Sequence, residues 1–355
     1  MFDLRYHVAS LAAVFVALVI GILVGVAMPL SLRRGTVTAI VEELDGLARI
    51  EVDGEPCVAY VRLTGPVEVG DDVLVNVQAR ELGLGSGGFD VLHANLSRGL
   101  GLAPAPDAHV MTLPYTPVQA AVRFVEEDGP LAESLGGMPV VCCSLHSQVV
   151  PAAAGVGESV RVAYVQLPGG ALPVVLSDSL RALKKRGLVE TAIAAGASVG
   201  GDAQAVSVAS ALAWAAAQGF DIAICSIGPG IVGTGSPLGH GGLAAADAAN
   251  AASALGGSPV LAVRVSEQDA RERHRGVSHH TRAVLELAIG RRKVAWPAGL
   301  EAPDWLEEPD EVDVSGWREA CEGLPLEHMG RGPDDDPWFF ASAFAAGKLA
   351  REKLA

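Results

Sequence analysis

The stretch Arg264 to Thr281 (Arg-Val-Ser-Glu-Gln-Asp-Ala-Arg-Glu-Arg-His-Arg-Gly-Val-Ser-His-His-Thr) gathers Arg264, Arg271, Arg273 and Arg275 with His274, His279 and His280. Neutral imidazole and carboxylate are the ligand chemistry of Zn²⁺, Mn²⁺ or Fe²⁺. His274, His279 and His280 are therefore a candidate set for a divalent metal, with Asp269, Asp202 or His240 able to complete it. A second chemistry is open to the same residues: one histidine as general acid or base beside an anion held by arginine, whose guanidinium presents paired donors to phosphate or carboxylate. On either reading His274, His279, His280 and Asp269 are the candidate catalytic residues. The bland alternative is that the cluster caps a helix starting near Thr281 and satisfies buried backbone groups. A Ser-His-Asp hydrolase could draw on Ser147 or Ser177, but no Gly-x-Ser-x-Gly elbow is present.

These residues need elements to hold them. The stretch follows the apolar run Val260 to Val263, so it should emerge at the carboxyl end of a strand, where open α/β sheets place ligands. Similar runs at Pro139–Leu145, Val160–Leu167, Leu172–Leu176, Thr191–Ala195, Asp221–Ile227 and Pro259–Val263 predict strands, several apolar on both faces, as in a largely parallel sheet. Their carboxyl ends carry His146, Ser147 and Gln148, then Ser177 and Asp178, Gly200 to Asp202, and a glycine-rich loop from Gly228 to Gly242. That loop holds Gly228, Gly230, Gly233, Thr234 and His240 between a strand and a helix, a pattern able to cradle an anion with backbone N–H groups. It is neither a P-loop nor a dinucleotide fingerprint. Helices are expected from Ala203 to Gln218 with Asp202 as N-cap, from about Leu243 to Leu255, from Thr281 or just before it, and from Trp338 to about Lys353. Glu301 to Asp313 is acidic and reads as a solvated loop.

Upstream the period changes to two. Thr36–Val41, Ala48–Val52, Cys57–Leu63 and Asp72–Val77, separated by Asp53-Gly54, Thr64-Gly65-Pro66 and Val69-Gly70-Asp71, predict four or five short strands closing into an SH3-like or OB-like barrel. Val8 to Leu32 is free of charge, long enough to span a bilayer, and followed by Arg33-Arg34. An uncleaved single-pass anchor is expected there, with a cleaved signal peptide as the competitor. The flanking arginines and the free cysteines place the body on the cytoplasmic side of the cell membrane. Gly21 and Gly25 would let two anchors pair, so a homodimer is a further expectation.

The expected fold is α/β: a transmembrane anchor (1–34), a small barrel (35–98), a linker (99–118), a mainly parallel α/β domain (119–320) and a helical tail (321–355). The formal net charge of −15 argues against a nucleic-acid partner. Five cysteines without CxxC spacing (Cys57, Cys142, Cys143, Cys225 and Cys321) read as buried free thiols rather than disulfides or a metal site.

From Arg34 onward the chain resembles the bacterial domain of unknown function 3866 family. The resemblance rests on Arg34-Gly-Thr-Val37, Leu82 to Gly88, Leu145-His-Ser-Gln148, Gly200-Gly-Asp202, Gly228-Pro-Gly230, Gly233-Thr-Gly235, Arg273 to Thr281 and Met329-Gly-Arg331. It implies no known activity. Met1 to about Met28 is similar to the membrane-anchored head of the bacterial copper transport protein B family, which implies a membrane location; a copper role would need Cys or Met ligands near the anchor. The functional expectation is a site for a small anionic, phosphorylated ligand, metal-assisted and hydrolytic. Its competitor is a non-catalytic scaffold of the cell envelope, and copper handling is a third reading.

Overall fold

The computed structural model describes residues 30–84, 87–101 and 108–354. The expected anchor (1–34) falls, apart from Leu30 to Arg34, outside these residues. Among the described residues no helix is long and apolar enough to cross a membrane.

Strands β1 (Leu32–Leu44), β2 (Leu47–Val52), β3 (Glu55–Ala59), β4 (Asp72–Asn76) and β5 (Asp90–Asn95) form a closed barrel in the order β1-β2-β3-β5-β4. Alternation explains it: in β4, Val73 and Val75 point inward and their neighbours outward. With Val37, Ile50, Val52, Cys57 and Leu92 they fill the interior. Two register shifts in β1 supply the bending that closure requires. Strand β6 (Val110–Thr112), within the expected linker, and β7 (Ala120–Val122), just beyond it, make a hairpin.

The rest is one eight-stranded sheet, parallel throughout. Its strands are β8 (Pro139–Cys143), β9 (Val162–Leu167), β10 (Thr191–Ala195), β11 (Ala203–Ala205), β12 (Ile222–Ile227), β13 (Ser258–Ala262), β16 (Lys293–Pro297) and β17 (Asp310–Val312), in the order β11-β10-β9-β12-β8-β13-β16-β17. β8, β9 and β12 are buried along their whole length, as runs apolar on both faces require. One face is covered by α1 (Val149–Val156), α2 (Asp178–Arg186) and α6 (Pro337–Glu352). The other is covered by α3 (Val208–Ala217), α4 (Ala244–Ala254) and α5 (His279–Leu287). α1 and α6 approach backbone to backbone: a Cβ on Gly347 would sit 1.8 Å from the Ala152 carbonyl oxygen, and one on Gly155 2.2 Å from that of Phe344.

The topology sets the crevice. After the central β8 the chain crosses to β9 and runs outward to β11, returns to β12 beside β8, then crosses to β13 on the far side. The connection after β8 leads to α1 on one face and those after β12 and β13 lead to α4 and α5 on the other, so the switch point at which open α/β sheets bind ligands lies over these carboxyl ends.

Several expectations change. Leu172–Leu176 is no strand: Pro173 and its glycine-rich approach give a 3₁₀ turn at Val174–Leu176 and a single bridge from Pro173 to Val199. Asp202 is not an N-cap. Ala203–Ala205 is the edge strand β11, and Ser207 caps α3, its Oγ accepting from the Ser210 N–H at 3.1 Å. The Asp202 carboxylate instead accepts from the Ala192 N–H at 2.7 Å and pairs with Lys184. The acidic stretch contains β17, and β16 went unmarked.

Candidate functional site

β13 ends at Ala262 and the chain makes a short excursion before α5. A two-residue ladder, β14 (Val265–Ser266) with β15 (Gly276–Val277), closes that excursion into a hairpin. At its base the Ser278 N–H donates to the Arg264 carbonyl at 2.9 Å and the Arg264 N–H to Thr281 Oγ1 at 2.8 Å. Ser278 is the N-cap of α5; its Oγ accepts from the His280 N–H at 3.2 Å and lies 2.7 Å from His274 Nδ1. The hairpin thereby delivers His274 to the first turn of α5, where His279 and His280 are neighbours.

The three rings converge. Centroids lie 4.8 Å apart for His274–His279, 4.7 Å for His274–His280 and 4.5 Å for His279–His280. One nitrogen from each falls within 4.8 Å of the others. His240, arriving at the end of the glycine-rich loop, stacks on His280 at 3.6 Å. His240, His274 and His280 are buried and His279 half-buried. Both ring nitrogens of His240 and of His280, and Nε2 of His279, are buried with no hydrogen-bond partner. Burial pushes His274 down to about 3, with the Arg264 charge adding to it. His280 falls to about 2 through burial, then through His240 and Arg264; burial also lowers His240 and His279. All four are neutral imidazoles at neutral pH, the form that ligates metal.

Beside them stands an arginine–carboxylate cluster. Asp269 Oδ2 accepts from Arg264 at 3.0 Å, Arg271 at 2.9 Å and Arg331 at 3.5 Å, and Oδ1 accepts from the Arg271 backbone and Nε. Burial alone would raise this carboxyl, but the Arg271 hydrogen bonds and the charges of Arg271 and Arg264 hold it well below its usual range. Arg331 also donates to Asp336 at 3.2 Å, and Asp336 takes the Ser266 hydroxyl at 2.5 Å. Three guanidiniums thus face two carboxylates, leaving one positive charge in excess. Arg264 is 2% exposed and its Nε has no partner. Burial lowers Arg264 to about 10, against the pull of Asp269, so it remains charged at neutral pH.

Of the other expected residues, Ser147 Oγ lies 3.0 Å from His328 Nδ1. Gln148 is structural: its amide donates to the Val263 carbonyl at 3.0 Å and its oxygen accepts from the Leu145 N–H, tying the ends of β8 and β13 together. His146 is held between Ser177 Oγ (2.7 Å) and the Ile227 carbonyl (3.2 Å), and burial lowers it to about 4. Arg273 and Arg275 are exposed, Arg275 reaching the Asp269 carbonyl at 3.4 Å. Asp202 stands at the β11 edge with Lys184.

The glycine-rich loop folds back on itself. The Thr234 N–H donates to Gly239, the Gly241 N–H to Val232 (both 2.7 Å), and the Val232 N–H to Gly169 at 3.0 Å. Gly228 and Gly241 press on the loop after β9: a Cβ on Gly228 would lie 2.0 Å from the Ala171 carbonyl oxygen, and one on Gly241 1.9 Å from that of Gly169. Those two glycines serve backbone contact and the placing of His240. Gly230 and Gly235 have open space around them, and Thr234 closes the loop through its own side chain to Gly239.

Sequence reasoning missed His328, Arg331 and Asp336. His328 is stacked flat on Phe339 at 3.8 Å, and its Nε2 is buried and unpartnered. Burial lowers it to about 3, with Arg264 and Arg331 adding to the effect. A tight turn through Met329 (φ 53°) and Gly330 (φ 75°) pairs His328 with Arg331. The signal in the sequence was the motif Met329-Gly-Arg331, which carries part of the family resemblance and forms this turn.

Comparison with known proteins adds two matches. The family model described as "Copper transport outer membrane protein, MctB" matches residues 1–46, the N-terminal segment and β1. The model described as "Protein of unknown function (DUF3866)" matches residues 56–347. A search of curated proteins finds no match. The second match contains every strand of the sheet and every residue of the crevice, and the chain belongs to the DUF3866 family.

Proposed function

We propose that this chain is a metal-dependent hydrolase acting on a small phosphorylated molecule, anchored to a membrane by its N-terminal segment. The observation that carries the reading is the set of buried, neutral, unpartnered imidazole nitrogens of His279 and His280, joined by His274. Buried polar groups are almost always hydrogen-bonded, so a group of orphans facing one another points to a missing partner. A divalent ion is a partner these residues would accept: His274, His279 and His280 would hold it through one ring nitrogen each, atoms that lie within 4.8 Å of one another. Three protein ligands leave a fourth position for water, whose pKa such an ion lowers toward about 7.

The neighbouring excess of positive charge supports an anionic substrate, since Arg264, Arg271 and Arg331 all share the one carboxylate of Asp269. A phosphate on the free edge of Arg264 would supply the missing negative charge. Such a site would supply an activated water for phosphate-ester hydrolysis, in which the water oxygen bonds to phosphorus as the ester P–O bond breaks. The leaving alcohol takes up a proton, with His240, stacked on His280, the imidazole that would carry it. The charge-free run Val8–Leu32 and the match of residues 1–46 support the anchor.

The test is elemental analysis of the purified chain beside a His274→Ala/His279→Ala/His280→Ala variant, with copper measured alongside zinc, iron and manganese because imidazole suits all four. The expected result is near one equivalent of metal in the parent, none in a folded variant, and phosphate release from p-nitrophenyl phosphate only with metal. No metal in either protein sinks the reading in favour of a scaffold. Metal without phosphate release removes the hydrolase and keeps the metal centre.

A further inference from the structure

We infer that the space between the barrel and the β11 edge of the sheet is a second binding site, for a neutral, planar aromatic molecule. The cavity measures about 550 Å³, within the roughly 300–1,000 Å³ of small-molecule pockets, and it lies at a junction between folded units, where such pockets concentrate. The barrel contributes Tyr60 and Gly46, the sheet edge Val199 and Gly201, α3 contributes Trp214, and the β6–β7 hairpin closes the remaining side. The barrel is held in place over α2 by Arg49, which donates to both carboxylate oxygens of Asp178 at 2.7 Å.

Charge decides the class of ligand. The ionised groups on the wall are already matched within the protein: Arg62 to Asp45 at 3.0 Å, Arg123 to Asp128, and Asp202 to Lys184. A charged ligand would break one of these pairs or enter unpaired. Tyr60 and Trp214 provide flat aromatic faces, and Val122, Val125 and Val175 make the floor apolar. One polar demand is unmet. Thr112 lines the cavity, is 3% exposed, and its Oγ1 has no hydrogen-bond partner. A ring bearing a single N–H or acceptor would satisfy that hydroxyl while its faces rest on the aromatic walls. Burial raises the Tyr60 hydroxyl to about 12, so it stays a neutral donor at the cavity wall.

This site is independent of the histidine cluster, which follows β12 and β13 inside the sheet. The experiment is a ¹⁹F NMR titration of the full chain with 5-fluoroindole, the probe itself. The expected result is a saturable shift that Ala120→Phe, placing a ring in the cavity, abolishes. Thr112→Val should weaken binding about fivefold, and 5-fluoroindole-2-carboxylate should bind at least about tenfold more weakly than the neutral ring. The triple histidine variant should titrate like the parent. No saturable shift in the parent overturns the proposal, as does unchanged binding in both cavity variants. Equal or tighter binding of the carboxylate overturns the neutral class.

Discussion

The buried acids of the barrel and the buried imidazoles of the crevice are treated in opposite ways. In the barrel, Asp90 is 2% exposed and receives Arg80 Nε and Nη2 at 2.9 and 2.8 Å. Asp71 takes the Glu68 N–H, the Asn95 amide and Arg98 Nε, while the Asn95 oxygen accepts from two further backbone N–H groups. In the crevice the carboxylates of Asp269 and Asp336 are equally well served, yet the imidazoles around them are not: His240, His279, His280 and His328 keep buried nitrogens without partners. A satisfied network of this kind needs nothing further, whereas the clustered orphan imidazoles are the observation on which the proposed metal site rests.

Acid should separate the two regions most strongly. In the metal-free protein burial holds His146 at about 4, His274 and His328 at about 3, and His280 at about 2, against about 6.5 in the unfolded chain. The unfolded chain therefore binds more protons below about pH 6.5. This stability is fully present above that value and is lost as pH falls from there toward 4, by up to about 1.4 kcal/mol per pH unit for each ring. The barrel contains a single histidine, His93. Chemical unfolding from pH 7.5 to 4.5 checks this, and a midpoint that does not move would mean the rings are hydrated or paired. Next in size, Ile50→Ala in the barrel core should cost about 3 kcal/mol in urea unfolding; the metal content of the folded fraction should not change, since Ile50 belongs to the barrel cluster alone.

Metal should act on the crevice and leave the barrel alone. At a free concentration a hundred times its Kd, an ion that binds only the folded state stabilises it by about 2.7 kcal/mol. The parent should show that gain in a thermal melt and the triple histidine variant none. An equal gain in both proteins would move the metal to some other set of ligands.

The sequence carried the sheet better than the site. Runs apolar on both faces located β8, β9, β10, β12 and β13 to within about two residues, because burial on both sides leaves an unbroken signal. β16 begins at Lys293 directly after two arginines, and β17 lies in an acidic edge segment; neither keeps that signature. Asp202 matched the rule for an N-cap, but Ser207 stood closer to the real start of α3. Within the site, His274, His279 and His280 were legible because one short stretch of chain holds them. His328, Arg331 and Asp336 were not, because α6 and the segment before it bring them in from far along the chain. Nothing local in the 228–242 loop reveals that Gly169 and Gly170 press against Gly228 and Gly241.

The smallest expected effect is the most discriminating. His280→Phe keeps a flat ring to stack on His240 and removes two buried nitrogens that have no partner. If the cluster is structural, those nitrogens have partners in solution, and losing them should cost about 1–3 kcal/mol. If the cluster waits for a metal, the metal-free variant should stay within about 1 kcal/mol of the metal-free parent, or exceed it, because an unmet polar group is exchanged for an apolar one of similar shape. The same variant should bind no metal and gain nothing from its addition. Urea unfolding of both proteins in chelator, repeated in metal, gives the two numbers. A clear loss in chelator with no difference in metal would assign the imidazoles to the scaffold, as the carboxylates of the barrel already are.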